Sequence, residues 1–327
     1  MKTRRAGFDV SINGAVVSAE MSKYITSLSY SDPAGGEADS VDLAIHDRDR
    51  MWVNALPQEG DIIQVSIKTE NWEGEGDSQT LPCGSFVIDA PKFSGWPLSG
   101  TICGVSHPAD TAFRETKRSK VWEQVTPQEV AKEIASRAGI GLSWDVEESF
   151  TIHYIEQSKQ TDCDFLMKLC EQYGYQMKVY SQKLVIYDRE AYKAKLPVDT
   201  IYEEDILSFD WNRRTDGTYT GGEFTYTDPV TEEELKVTVG GGKRILKKSV
   251  KADNRADAER QMKAAIALAN HGVDRATVTI IGRPALVSAM CIDVHLPGKL
   301  AGKYFIDEIV NNIGKGYTMN LTLSKVE

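Results

Sequence analysis

The sequence predicts an α+β fold, mainly β, with two small antiparallel β-barrel, tube-like domains flanking a helix-plus-strand middle domain. Three observations predict it. Residues 1–106 alternate apolar and polar side chains in short runs separated by turn residues, with almost no helical spacing. Residues 107–195 hold two capped helical patterns, each followed by strand patterns. Residues 196–327 return to strands, with one helical pattern at about 254–270. A chain of 327 residues is long enough for about two or three domains.

In the first region, residues 6–12 and 15–17 flank Asn13–Gly14, a dipeptide that accepts the left-handed backbone of a two-residue hairpin turn. A strand pattern at 25–30 ends at Asp32–Pro33 and Gly35–Gly36. Residues 41–46 alternate and run into a charged turn at 47–50. Residues 61–68 form a strand with Ile63, Val65 and Ile67 on one face, and 84–90 and 98–106 follow. The acidic, glycine-rich segment 71–79 reads as an exposed loop.

In the middle region, Thr126-Pro127-Gln128-Glu129 combines a capping box with proline at the first helical position. Val130, Ile134, Ala135 and Ala138 make that helix's apolar face, and Gly139 and Gly141 stop it. The segment 160–188 is the most sharply specified in the chain. Thr161 caps a helix whose first turn carries Asp162 and Asp164, where the helix dipole favours negative charge. Phe165, Leu166, Leu169, Cys170 and Tyr173 form one apolar face, and Gly174 takes the left-handed position after it. Tyr175, Met177 and Val179 then alternate, Ser181–Gln182 turns, and 184–187 returns as a strand. Two helix-plus-strand units packed together make a small α+β domain.

In the third region, 206–211, 219–227 and 234–239 fit antiparallel pairing, with a turn at 228–231. Asn254 caps a helix rich in good helix formers, with Met262, Ala265, Ile266 and Ala269 as its apolar stripe and Gly272 as its end. Strand patterns resume at 275–281, 291–296, 304–313 and 317–325, the last two joined by Gly314-Lys315-Gly316.

The composition narrows the function. A formal net charge of −10 argues against nonspecific nucleic-acid binding as the main task, which needs a basic excess, though it leaves room for a local basic patch; no specific nucleic-acid binding is predicted either. No apolar run approaches the roughly 20 residues of a membrane span. The amino-terminal segment lacks the apolar stretch of a secretory signal. Cys83, Cys103, Cys163, Cys170 and Cys291 are scattered and odd in number, as in a protein made in the cytoplasm with reduced thiols.

No catalytic, cofactor-binding or metal-binding residue is predicted. Glu203-Glu204-Asp205 and Glu232-Glu233-Glu234 read as solvated turns. His46-Asp47-Arg48-Asp49 reads as a strand end and a charged turn, and His107 as a linker residue before Pro108. His153, His271 and His295 lie in separate elements. His295 and Asp293 share a strand face but lack the further ligands a metal needs. Cys163 and Cys170 stand two helical turns apart and read as buried packing, where thiols are inert. Gly240-Gly241-Gly242-Lys243 lacks the spacing of a phosphate-binding loop and has Arg244 where a hydroxyl residue would stand. Of two readings of the basic run 243–251, a polyanion patch and a solvated strand or loop at an interface, the second is favoured.

The 161–188 segment resembles the helix–strand signature of the phage late control D family, and a similar Asp-x-Asp-Phe-Leu…Gly-Tyr pattern occurs in spike proteins of type VI secretion systems. The stretch Gly302-Lys303-Tyr304-Phe305-Ile306-Asp307 with Gly316-Tyr317-Thr318-Met319-Asn320-Leu321 resembles the end of baseplate hub proteins of Gram-positive contractile phages and phage-like bacteriocins. The resemblance implies a structural, non-enzymatic hub at the tail baseplate, assembled in the host bacterial cytoplasm; the alternative readings are a cell-wall hydrolase and a host-surface glycan-binding module of a tail. It implies a homotrimer that joins a sixfold tail tube protein to a threefold central spike protein and meets other baseplate and tape-measure proteins. Two tube-like domains per subunit give a trimer the quasi-sixfold symmetry this needs. The 71–79 and 243–251 segments are the expected partner contacts. The chain ends soon after a strand pattern, so neither a fused cell-wall hydrolase nor a β-helix needle is expected to follow.

Overall fold

The computed structural model describes residues 3–89, 91–106, 112–181, 183–227 and 233–326. The mainly-β class is as expected. The predicted turn at 228–231, together with His107, Gln182 and Glu232, lies outside the described residues.

The two β-rich regions form one sheet rather than two closed barrels. On the amino-terminal side, Arg5–Ile12 pairs with Ile62–Glu70, which pairs with Ser78–Ile88. That strand continues through Ser99–Val105 and Ser40–His46 to Ile25–Pro33. On the carboxyl-terminal side, Ile206–Arg213 pairs with Asp274–Ile281, then Tyr317–Lys325, then Gly302–Ile313. The two halves meet where Glu308–Ile313 lies antiparallel to Leu28–Pro33. Inward residues from both halves form a single apolar cluster, including Leu43, Ile63, Phe86, Val278, Tyr304, Ile306, Leu321 and Leu323, all nearly inaccessible to water. Burial of this kind supplies about 25 cal/mol per Å² and ties the halves into one unit.

Asn13 and Gly14 both have positive φ at the hairpin between Arg5–Ile12 and Ala15–Val16. Ile63, Val65 and Ile67 are buried. The 71–79 segment is shorter than expected as a loop, because the strand Ser78–Ile88 already includes Ser78 and Gln79.

The middle region has its own core. Thr126 and Glu129 complete the capping box of the helix Pro127–Arg137, whose Val130, Ile134 and Ala135 are buried. The helix Asp162–Tyr173 is capped by Thr161 and closed by Gly174 at φ 79°. Beneath the helices, Gly141–Asp145 runs parallel to Lys183–Asp188, which is antiparallel to Tyr175–Tyr180. Three features were not read from sequence: the two-stranded sheet of Lys117–Val125 with Ile152–Thr161, and the short helices Ala112–Glu115 and Arg189–Ala194.

The third region differs most from expectation. Gly221–Thr227 pairs with Glu234–Gly240 as predicted, but its other neighbour is Ile245–Ser249, running parallel, and not the 206–211 strand. This three-stranded sheet carries the helix Arg255–Ala269 over a small core of Phe224, Tyr226, Val237, Ala258 and Met262. Asn254 caps that helix as expected. The helix also packs on Asp162–Tyr173. A Cβ at Gly174 would stand 3.3 Å from Cβ of Ala264, so glycine there serves both the helix end and the close helix approach. Arg260 extends the contact, pairing with Glu148 at 2.8 Å and lying 3.9 Å over the Phe150 ring.

Candidate assembly surfaces

Two buried charge clusters lock the regions together. Asp32 ends a strand of the large sheet, and Asp39 precedes the next one. Lys178 reaches them from the middle region, with Nζ 2.6 Å from Asp32 Oδ1 and 3.0 Å from Asp39 Oδ1. Ser288, from the loop after Asp274–Ile281, donates both its backbone N–H and its hydroxyl to Asp32 at 2.8 Å. Burial pushes the Asp39 carboxyl up to about 7, against the pull of Lys178. In the second cluster, Arg189 pairs with Asp307 and donates to His271 Nδ1 at 2.8 Å. Burial, then the charges of Arg189, Lys193 and Arg275, hold His271 down to about 3, so it is neutral. Lys178 and Asp307 fall within the two stretches that carry the family resemblance, but nothing in the sequence pairs any of these residues with another.

The residues considered for chemistry are structural or exposed. Asp47 is fully buried and accepts from the backbone N–H groups of Trp52 and Val53, which starts the helix Met51–Ala55. Its neighbours His46, Arg48 and Asp49 are exposed, and Asp49 accepts from the Tyr24 hydroxyl. Glu203–Asp205 is a single 3₁₀ turn in which Asp205 receives Arg283 at 2.7 Å. Tyr202 lies against His295, with ring centroids 5.0 Å apart. His153 is exposed. Cys170 is buried in the middle core, and burial raises its thiol well above the ordinary range. Cys163, half-buried, packs against the same core. Gly240–Gly242 folds back on Thr220, with Gly241 N–H donating to Thr220 O at 3.2 Å. Among the described residues, no group of three or more His, Cys, Asp or Glu is arranged to hold a metal ion. No described helix is long and apolar enough to cross a membrane.

The two expected contact segments have different fates. The 71–77 loop closes on itself, since Asn71 Oδ1 accepts from Gly76 N–H at 2.8 Å. Trp72 leaves the loop to donate to Gly282 O at 2.6 Å and pack on Tyr317, which tethers it to the opposite half of the sheet. Glu73 and Glu75 stay exposed. The 243–251 segment is open: Lys243, Arg244, Lys247, Lys248 and Lys251 are all exposed. The large sheet also has open edges. At one, Phe209 stands opposite Val278, on the core side, yet is 45 % exposed, and Leu207 beside it is 56 % exposed. At the other, Val16 is 79 % exposed.

Solved structures of phage-tail and secretion-system proteins share this fold. The chain superposes with a TM-score of 0.73 on a tail protein from Neisseria meningitidis MC58, at 16 % identity over 98 % of this chain and 97 % of that one. It superposes at 0.61 on the Escherichia coli c3393 protein, a component of the type VI secretion system, at 10 % identity over 97 % and 77 %. At these identities the likeness shows the fold. Two curated relatives add a likeness in sequence. Residues of this chain are 30 % identical over 216 positions to the probable baseplate hub protein of Escherichia phage P2, covering 63 % of this chain and 52 % of that protein. Against the probable baseplate hub protein of Escherichia phage 186 the identity is 29 % over 182 positions, covering 54 % and 44 %. The chain thus spans about half the length of the curated relatives it matches. No family model matches the sequence. The resemblance to the baseplate hub family drawn from residues 161–188 and 302–321 is borne out by these relatives and by the fold.

Proposed function

We propose that the chain is a structural, non-enzymatic baseplate hub that joins a sixfold tail tube to a threefold central spike as a homotrimer. The single observation that carries this reading is the sheet built from both β-rich regions, open at both edges. Three copies set edge to edge would close such sheets into a ring. Each copy would contribute two tube-like halves, from residues 1–106 and 196–327, with the 107–195 domain outside. The half-uncovered Phe209 supports this, because a core-side apolar residue at an edge gains most from a neighbouring strand. Tail tube, spike and other baseplate and tape-measure proteins are the partners, met during assembly in the host cytoplasm.

The test is reconstruction of the assembled tail together with sedimentation of the purified chain alone and mixed with tube or spike protein. Density for three copies between tube and spike supports the reading. A chain that stays monomeric with both partners and is missing from that junction refutes it.

A further inference from the structure

Outside the large sheet, the basic strand Ile245–Ser249 has an unusual setting. It is an edge of the three-stranded sheet, and no described strand lies on its outer side. Arg244 O accepts from Thr220 N–H, and Val250 N–H donates to Thr225 O, so the even-numbered residues face their sheet neighbour. The two-residue period of a strand then turns the backbone groups of Ile245, Lys247 and Ser249 to the open side.

A cleft lies at each end of the strand, roughly 20 Å apart at strand rise. The first, about 730 Å³, is lined by Arg244 with Lys193, Lys303 and Lys325. Its two carboxylates are already engaged, Glu190 by Lys193 and Asp274 by Arg213. Among the described residues, Arg244 and Lys325 donate only to neutral oxygens, of Thr215 and Thr218 and of the turn at 299–301. The second cleft, about 360 Å³, has Lys168, Lys248 and Lys251 around an apolar floor that includes Phe224, Val250 and the half-exposed Leu268. Among the described residues, Glu171 is its one acidic residue. Among the described residues, none of Lys168, Lys243, Lys247, Lys248, Lys251 and Lys303 is paired with a carboxylate.

We propose that this strand and its two clefts bind an extended, acidic segment of a protein partner, added as a further strand. Charge complementarity names the occupant. A chain of net charge −10 concentrates unneutralised cations along one free edge. The same lysines repel a second copy of the strand, which is how free edges avoid self-pairing. An acidic strand meets the lysines with opposite charge and the open backbone groups with its own. The net negative charge of the rest of the chain disfavours a nucleic-acid backbone. The inference does not depend on the trimer: the edge is complete within one copy.

The experiment uses the full chain and a fluorescein-labelled short peptide alternating glutamate with serine, with one leucine. Its lysine-for-glutamate counterpart and an oligothymidylate of similar charge are the comparisons. The acidic peptide binds in a salt-dependent way and slows amide exchange at Ile245, Lys247 and Ser249. The exposed-charge variant Lys247→Gln/Lys248→Gln binds about tenfold more weakly, as expected for two surface pairs. Because both side chains are exposed, an unchanged melting curve separates lost binding from lost folding. Equal binding of the basic peptide, tighter binding of the oligothymidylate, or no added protection along the strand overturns the proposal.

Discussion

Lys178 Nζ lies 2.6 Å from Asp32 Oδ1, so a strand of the middle domain is pinned by charge to a strand of the large sheet. Asp39 shares the same ammonium. Removing it strands two buried carboxylates. Lys178→Met is expected to cost about 3–5 kcal/mol, read from urea unfolding. Adding Asp39→Asn to that variant should recover part of the loss, because one uncompensated charge is then gone.

Asp39 and His271 respond to pH with opposite signs. Burial raises Asp39 from 3.8 to about 7 in the fold, so the folded state holds that proton more tightly. Its contribution is complete below pH 3.8 and is lost as pH rises through about 7. His271 is lowered from 6.5 to about 3, so its contribution is complete above 6.5 and is lost as pH falls toward 3. Urea midpoints across this range should lose the first slope in Asp39→Asn and the second in His271→Asn.

Gly174 combines φ 79° with the close approach of Ala264. Gly174→Ala meets both costs at once, and a loss of about 1–2 kcal/mol in thermal unfolding is expected. Removing the neighbour, in Gly174→Ala with Ala264→Gly, should relieve only the packing share.

Trp72 links the 71–77 loop to Gly282 and Tyr317. Trp72→Ala should cost about 2–3 kcal/mol and make the loop an early site of limited proteolysis. Trp72→Phe keeps ring packing without the hydrogen bond and should fall between.

Phe209→Glu places a charge at the half-covered edge of the large sheet. The isolated chain should keep its melting temperature, while sedimentation in the presence of spike or tube protein shows no trimer.

What could be read in the sequence was local. Asn13–Gly14, Thr126 with Glu129, Thr161 with Gly174, and Asn254 each act on residues a few positions away, and each sits where expected. Pairings across long separations could not be read. The 206–213 strand goes to Asp274–Ile281, past an inserted sheet and helix, because its edge completes the large core and not the small one. Asp32, Lys178 and Ser288 converge from three distant segments and carry no common pattern. The basic run at 243–251 was legible as an exposed contact candidate, but its two clefts depend on Lys168, Lys193, Lys303 and Lys325, which only the fold brings near.

The pairing of Leu28–Pro33 with Glu308–Ile313 also has a consequence for how the protein is made. On the ribosome, the early strand emerges long before its partner exists. Until residues 302–325 have been synthesised, Leu28 and Tyr30 belong to a half-built sheet whose bare side is apolar and unpaired. Such distant pairing is intrinsically slow to form. During translation, that exposed side is where a chaperone would bind first and where nascent chains would stick to one another.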